Sequence, residues 1–147
     1  ELALACDIRI AQEGDYTIGQ MEILVGILPG AGGTTRLARL VGTGKALEWV
    51  LRGRTFYPHE AKEEGLIHHV VDGDVLEKAK EIANEFIDKP TAALQAIKQV
   101  IKSSWGKTTA DGVDEEGDLF TNLLASDDKA IEMMKEYIKD GHKLKKF

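Results

Sequence analysis

The sequence predicts an α/β chain, sparing in strand and rich in helix, with a strand-bearing first half and a helical C-terminal half. Three observations lead there. Short alternating or β-branched runs occur at 7–11, 16–18 and 67–71, and little else reads as strand. Apolar residues elsewhere recur at helical spacing. Glycine and proline punctuate the first half at 29–33, 42–44, 53, 58 and 65.

Residues 1–6 (ELALAC) are good helix formers, and Cys6 on that apolar helix reads as a small buried hydrophobe. Residues 7–11 alternate polar and apolar, and 16–18 (YTI) carry aromatic and β-branched side chains, so each is a short strand with a turn at Gly14 between them. At 34–41 (TTRLARLV), Leu37, Leu40 and Val41 share one helix face. Gly42 to Gly44 break the run, 45–51 (KALEWVL) form a helix ended by Gly53, and Pro58 opens a short helix that closes before Gly65. At 74–88, Val75, Ala79, Ile82, Ala83, Phe86 and Ile87 make an apolar stripe behind Asp74 as cap. Residues 92–103 repeat the pattern, 107–118 are a loop or a helix of poor propensity, and 127–139 form a last helix. The organisation is therefore 1–73 as the strand-bearing part and 74–147 as the helical part.

A length of 147 residues is one domain or part of one, and 43% hydrophobic with 30% charged residues is ordinary for a globular chain. A net charge of −6 argues against a broad basic face for nucleic acid. One cysteine rules out an internal disulfide framework and fits a reducing, cytoplasmic compartment. No apolar run approaches the ~20 residues of a membrane span, and no secretory leader pattern is present.

The chemistry concentrates in 19–36, GQMEILVGILPGAGGTTR. Glu22 is a lone acid among Met21, Ile23, Leu24, Val25, Ile27 and Leu28. Apolar surroundings strip hydration from a carboxylate and penalise its charged form, which suits proton transfer. The glycines of 29–33 bring backbone N–H groups close to a ligand with no side chain in the way. From these residues alone Glu22 is equally a loop acid at the surface. Gly42-Thr43-Gly44-Lys45 fails as a P-loop, with Arg39 where glycine is needed and Ala46 where Ser or Thr is, and 30–35 fails as GxGxxG. His59, His68, His69 and His142 form no metal-spaced cluster and read as structural or surface residues.

The stretch GQMEILVGILPGAGGTTRLARLVG, with the opening ELALACDIRIA and the later KALEWVLRGRTFYPHEAKEEGLIHHVV, resembles the signature of the crotonase (enoyl-CoA hydratase/isomerase) family. The likeness covers roughly positions 1–105 and thins out beyond. It implies the C-terminal half of a crotonase-like (ClpP/crotonase) spiral core, followed by a helical trimerisation region. Family members are roughly twice as long, and this chain begins with Glu rather than Met. The expectation is a fragment or split chain whose N-terminal half comes from the same or a separate chain. The implied substrate is an acyl-CoA thioester, with no further cofactor and no metal, in a homo-oligomer, a trimer or dimer of trimers.

By the same resemblance Glu1 and Glu22 flank a water and the enoyl double bond, and the Gly30 backbone holds that water. One glutamate takes a proton from the attacking water, and a carboxyl group delivers one to the α-carbon. Two backbone N–H groups polarise the thioester carbonyl, and both lie in the family's segment upstream of Glu1. Basic and aromatic C-terminal residues of the family approach the CoA nucleotide. Tyr137 and Lys139 are the nearest equivalents here, beside a basic tail of Lys143, Lys145, Lys146 and Phe147 that also reads as a solvated terminus. Met21 stands where the family usually has proline, and the stretch from Asp7 to Gly19 is one residue longer than usual. Two glutamates favour a hydratase. The alternatives are a double-bond isomerase, which needs the acid at Glu22 alone, and a non-catalytic piece that binds and assembles.

Overall fold

A computed structural model describes residues 1–140, in two compact units: Glu1–Asn84 and a second that begins at Glu85. The expectations placed on His142, Lys143, Lys145, Lys146 and Phe147 lie outside the described residues. The first unit runs α1 (Leu2–Ala5), β1 (Ile10–Gln12), β2 (Ile18–Gly19), a 3-10 turn (Glu22–Val25), α2 (Gly33–Val41), α3 (Thr43–Arg52), β3 (Thr55–Phe56), α4 (Pro58–Glu63), β4 (His69–Val71) and α5 (Val75–Asn84). The second holds α6 (Thr91–Ser103), α7 (Thr109–Ser126) and α8 (Asp128–Lys139).

The α/β class holds, with the strands in two small sheets among the described residues. β1 lies parallel to β4, Ala11 opposite Val70, and β2 antiparallel to β3, Ile18 opposite Phe56. The first strands start later than their alternation predicts. Residues 7–9 approach the second sheet strand through Arg9, whose carbonyl accepts from His68 and His69, before the regular ladder begins at Ile10. β3 carries almost no strand signal of its own. It pairs because Gly19 lets the backbones close up: a Cβ there would stand 2.5 Å from the Arg54 carbonyl oxygen.

The core of the first unit lies where α2 and α3 cover the strands, with Leu37, Ala46 and Trp49 meeting Ala11, Phe56, Ala61, Leu66 and Ile67. Trp49 and Phe56 pack edge to face at 4.7 Å between centroids. The helix boundaries follow local chemistry. Gly53 ends α3 in a left-handed conformation, φ 59°. Pro58 opens α4, where the Glu60 carboxylate accepts from the Tyr57 N–H at 2.9 Å. Asp74 accepts from the Leu76 N–H at 2.7 Å ahead of α5.

Three expectations are corrected, and one left open is decided. Cys6 is exposed: α1 has only four residues, and none of the described residues covers the Cys6 side chain. α3 takes in Thr43 and Gly44, since Gly42 (φ 85°) makes the break alone. α5 stops at Asn84, leaving Phe86 and Ile87 beyond its stripe. The polar stretch 107–118, left open between a loop and a helix of poor propensity, is the helix: it starts α7. There Thr108 caps by accepting from the Asp111 N–H at 3.2 Å, and the helix packs against α6 and α8, which offsets its two glycines.

Candidate active site

The site is assembled from a turn, a glycine loop and a helix start. Glu22 opens the 3-10 turn after β2, and Gly26 (φ 79°) ends that turn in a left-handed conformation. Loop 29–33 follows, with Gly32 at φ 93°. This conformation aims the N–H groups of Ala31 and Gly33 at one point, as consecutive amides do in an anion-binding nest. The point is occupied by the Glu1 carboxylate. Ala31 donates to its two oxygens at 2.9 and 3.1 Å, and Gly33 donates to Oε1 at 2.7 Å. Gly32 has no side chain with which to cap α2, so Glu1 satisfies the helix's first donor from a distant part of the chain.

Gly33 is needed for the fit. A Cβ on it would lie 2.7 Å from Glu1 Oε1 and would overlap Gln20 Oε1 as well, so both side chains crowd the same point. Gln20 Oε1 is buried with no hydrogen-bond partner among the described residues, and Glu22 Oε2 shares that condition. Two buried oxygens in one short stretch are thus left open to a hydrogen bond from a group outside the described residues.

The structure therefore places Glu1 directly on the glycine loop and Glu22 on the turn leading into it. Gly30 is exposed, with open space where a side chain would be. The apolar wall expected around Glu22 is not buried in this chain. The 3-10 turn projects, so Leu24, Val25, Ile27 and Leu28 are all exposed, Leu24 at 68%. Tyr137 and Lys139 are on α8 in the second unit. Two helical positions apart, they point roughly 200° from one another and share no face.

Sequence reasoning missed three contributors. The amides of Ala31 and Gly33 were legible as exposed donors, but their acceptor was expected to be a ligand and is Glu1. Gln20 carries no signal beyond being polar next to the glycine loop. Arg9 falls on a polar position of an alternating run, yet it is only 7% exposed. Its Nε donates to the Leu66 carbonyl at 2.6 Å, Nη1 donates to the Cys6 carbonyl at 3.0 Å, and its own N–H donates to His68 Nδ1 at 3.0 Å. Burial pulls the Arg9 guanidinium below its ordinary value. Burial of the ring edge, then the Arg9 and His69 charges, pulls His68 below 6.5, although much of its ring meets solvent. A pocket whose lining includes Glu1, Arg9, Gln20, Trp49, Arg54 and Phe56 opens beside these groups. Among the described residues no three His, Cys, Asp or Glu side chains are grouped to hold a metal ion, and no helix is long and apolar enough to cross a membrane.

A protein-family model described as enoyl-CoA hydratase/isomerase matches residues 1–143. The 2,3-dehydroadipyl-CoA hydratase of Escherichia coli is 40% identical over 130 residues, which are 88% of this chain and 51% of that protein. The short-chain-enoyl-CoA hydratase of Clostridioides difficile is 38% identical over 130 residues, 88% of this chain and 83% of that one. Among solved structures, the enoyl-CoA hydratase of Thermoplasma volcanium superposes with a TM-score of 0.80 at 37% identity, covering 92% of this chain and 53% of that one. The Bacillus anthracis enoyl-CoA hydratase gives 0.83 at 34% identity, covering 95% and 54%. The chain spans about half the length of most of these proteins, 51% to 54% for three of the four.

Proposed function

Because the chain belongs to the enoyl-CoA hydratase/isomerase family, we propose that it supplies Glu1 and Glu22 to a site that adds water across the double bond of a 2-enoyl-CoA thioester. The observation that carries this reading is the Glu1 carboxylate held in one orientation by the Ala31 and Gly33 amides, on the loop that follows Glu22. The hydratase names of the Escherichia coli and Clostridioides difficile relatives support it.

In the reaction, water oxygen bonds to the β-carbon while one glutamate takes the water's proton. The double-bond electrons move toward the thioester oxygen, and a carboxyl group protonates the α-carbon. Glu1 is pre-oriented for this, and Glu22 brings a buried oxygen with no protein partner to the reacting atoms. The Gly30 backbone holds the water. The amides that receive the thioester oxygen come from the half of the fold this chain does not span, on the same or a separate chain, and activity requires it. Helices α6, α7 and α8 carry contacts of a homotrimer or dimer of trimers, and Tyr137 or Lys139, on different faces of α8, approaches the CoA nucleotide.

The test compares Glu1→Gln and Glu22→Gln in the assembled protein, following loss of the conjugated thioester of a short 2-enoyl-CoA. Each variant is expected to lose about 10²-fold or more in kcat for hydration. Full hydration by Glu1→Gln overturns the two-glutamate reading. Retention of 3-enoyl to 2-enoyl isomerisation with no hydration in the unaltered protein moves the assignment to an isomerase.

A further inference from the structure

Resting on the reading of Glu1 as a catalytic carboxylate, we propose that Arg9 is the positioning residue for Glu1, acting through the C-terminal end of α1. A four-residue helix has no stability of its own, since one turn closes too few hydrogen bonds to offset the ordering of its backbone. α1 must therefore be fixed from outside at both ends. Its first end is fixed by the Glu1 carboxylate on the Ala31 and Gly33 amides. Its other end is Cys6, the cap residue, whose backbone has turned to an extended conformation with ψ 152°. The Cys6 carbonyl is held by Arg9 Nη1 at 3.0 Å.

Arg9 is itself tightly bound. Its Nε donates to the Leu66 carbonyl at 2.6 Å, its N–H to His68 Nδ1 at 3.0 Å, and its carbonyl accepts from the His68 N–H at 2.9 Å. One planar guanidinium thus joins the end of α1 to the segment that enters β4. Two different nitrogens of one planar group serve the two carbonyls, a fixed spacing that the single nitrogen of an ammonium does not reproduce. A cation kept 93% out of solvent for two carbonyl oxygens is costly unless the geometry it sets has a use. Glu1 and Arg9 also line one pocket, so a shift of α1 along its axis moves the carboxylate relative to that space.

The experiment uses Arg9→Lys and Arg9→Gln in the assembled protein, with Glu1→Gln as reference, and has two readouts. Amide NMR signals of Ala31 and Gly33 report where the Glu1 carboxylate sits without any substrate. Steady-state hydration of a short 2-enoyl-CoA separates kcat from KM. The expected result for Arg9→Lys is a folded protein whose Ala31 and Gly33 signals move toward their Glu1→Gln positions. Its kcat is expected to fall about tenfold or more, with KM within about twofold of the unaltered value. Ala31 and Gly33 signals at their unaltered positions overturn the proposal whatever the rate. Displaced signals with an unchanged kcat overturn it too, and so does loss of the fold in both variants, which makes the role of Arg9 structural. An unaltered protein without hydration activity sinks the hydratase reading instead, and the amide signals still decide whether Arg9 places Glu1.

Discussion

Gly33 has no space for a side chain, and that single fact ties the glycine loop to Glu1. The missing Cβ is what lets Glu1 Oε1 come within 2.7 Å of the Gly33 nitrogen while Gln20 packs at the same point. Gly33→Ala is expected to push the carboxylate off the loop and cost about 10²-fold in kcat, read in the hydration assay, with a lowered melting midpoint because the added Cβ overlaps Gln20 and Glu1. Gly30→Ala, where a Cβ meets nothing within 4 Å, is the contrasting substitution and is expected to leave the position of Glu1 unaltered in the amide spectrum. His68 sets a pH dependence. Its folded value lies below 6.5, so the unfolded chain takes up the proton first. The stability it contributes is complete above 6.5 and is lost as pH falls through the folded value. Urea unfolding midpoints measured downward from pH 7 are expected to fall more steeply than in His68→Asn.

Helix ends and strand pairs in this chain are fixed by contacts from elsewhere in it. α1 is held by Glu1 and Arg9, and β3 exists because Gly19 admits its backbone. α7 tolerates Gly112 and Gly117 because it starts on Thr108 and packs on both neighbours. Thr108→Ala is expected to destabilise the second unit by about 1 kcal/mol, measured by urea unfolding, since the Asp111 N–H loses its acceptor. Phe56, 1% exposed and stacked edge-on against Trp49, anchors the β2–β3 pair to α3. Phe56→Ala is expected to cost the first unit about 3–5 kcal/mol, enough to remove most of a small unit's stability.

The molecule divides into two compact units and spans about half of several relatives. In the second unit Ile97, Ile101, Val113, Phe120 and Ile138 are exposed, Ile101 at 63%. Single exposed apolar residues are ordinary, but this many on three helices leave apolar surface that further protein would cover. Under the proposed reading of α6 to α8 as trimer contacts, Ile101→Glu is expected to lower the native mass measured by light scattering while leaving the helical circular dichroism intact. An unchanged mass removes Ile101 from the contact.

What the residues alone determined is the local and the recurrent: helical spacing at 34–41, 45–51 and 92–103, the cap at Asp74, Pro58 at a helix start, and the likeness of 19–42 to a known family. These depend on neighbours within a few positions, and short-range chemistry is written in sequence order. Folding settled what depends on partners far apart in the chain. Arg9 became a buried cation because Leu66 and Cys6 turn their carbonyls to it, and the Cys6 side chain is exposed because none of the described residues covers it. The acceptor of the loop amides became Glu1 because α1 begins against the α2 N-terminus. No spacing rule predicts a bond between residues 1 and 33, since only the closed backbone brings them together.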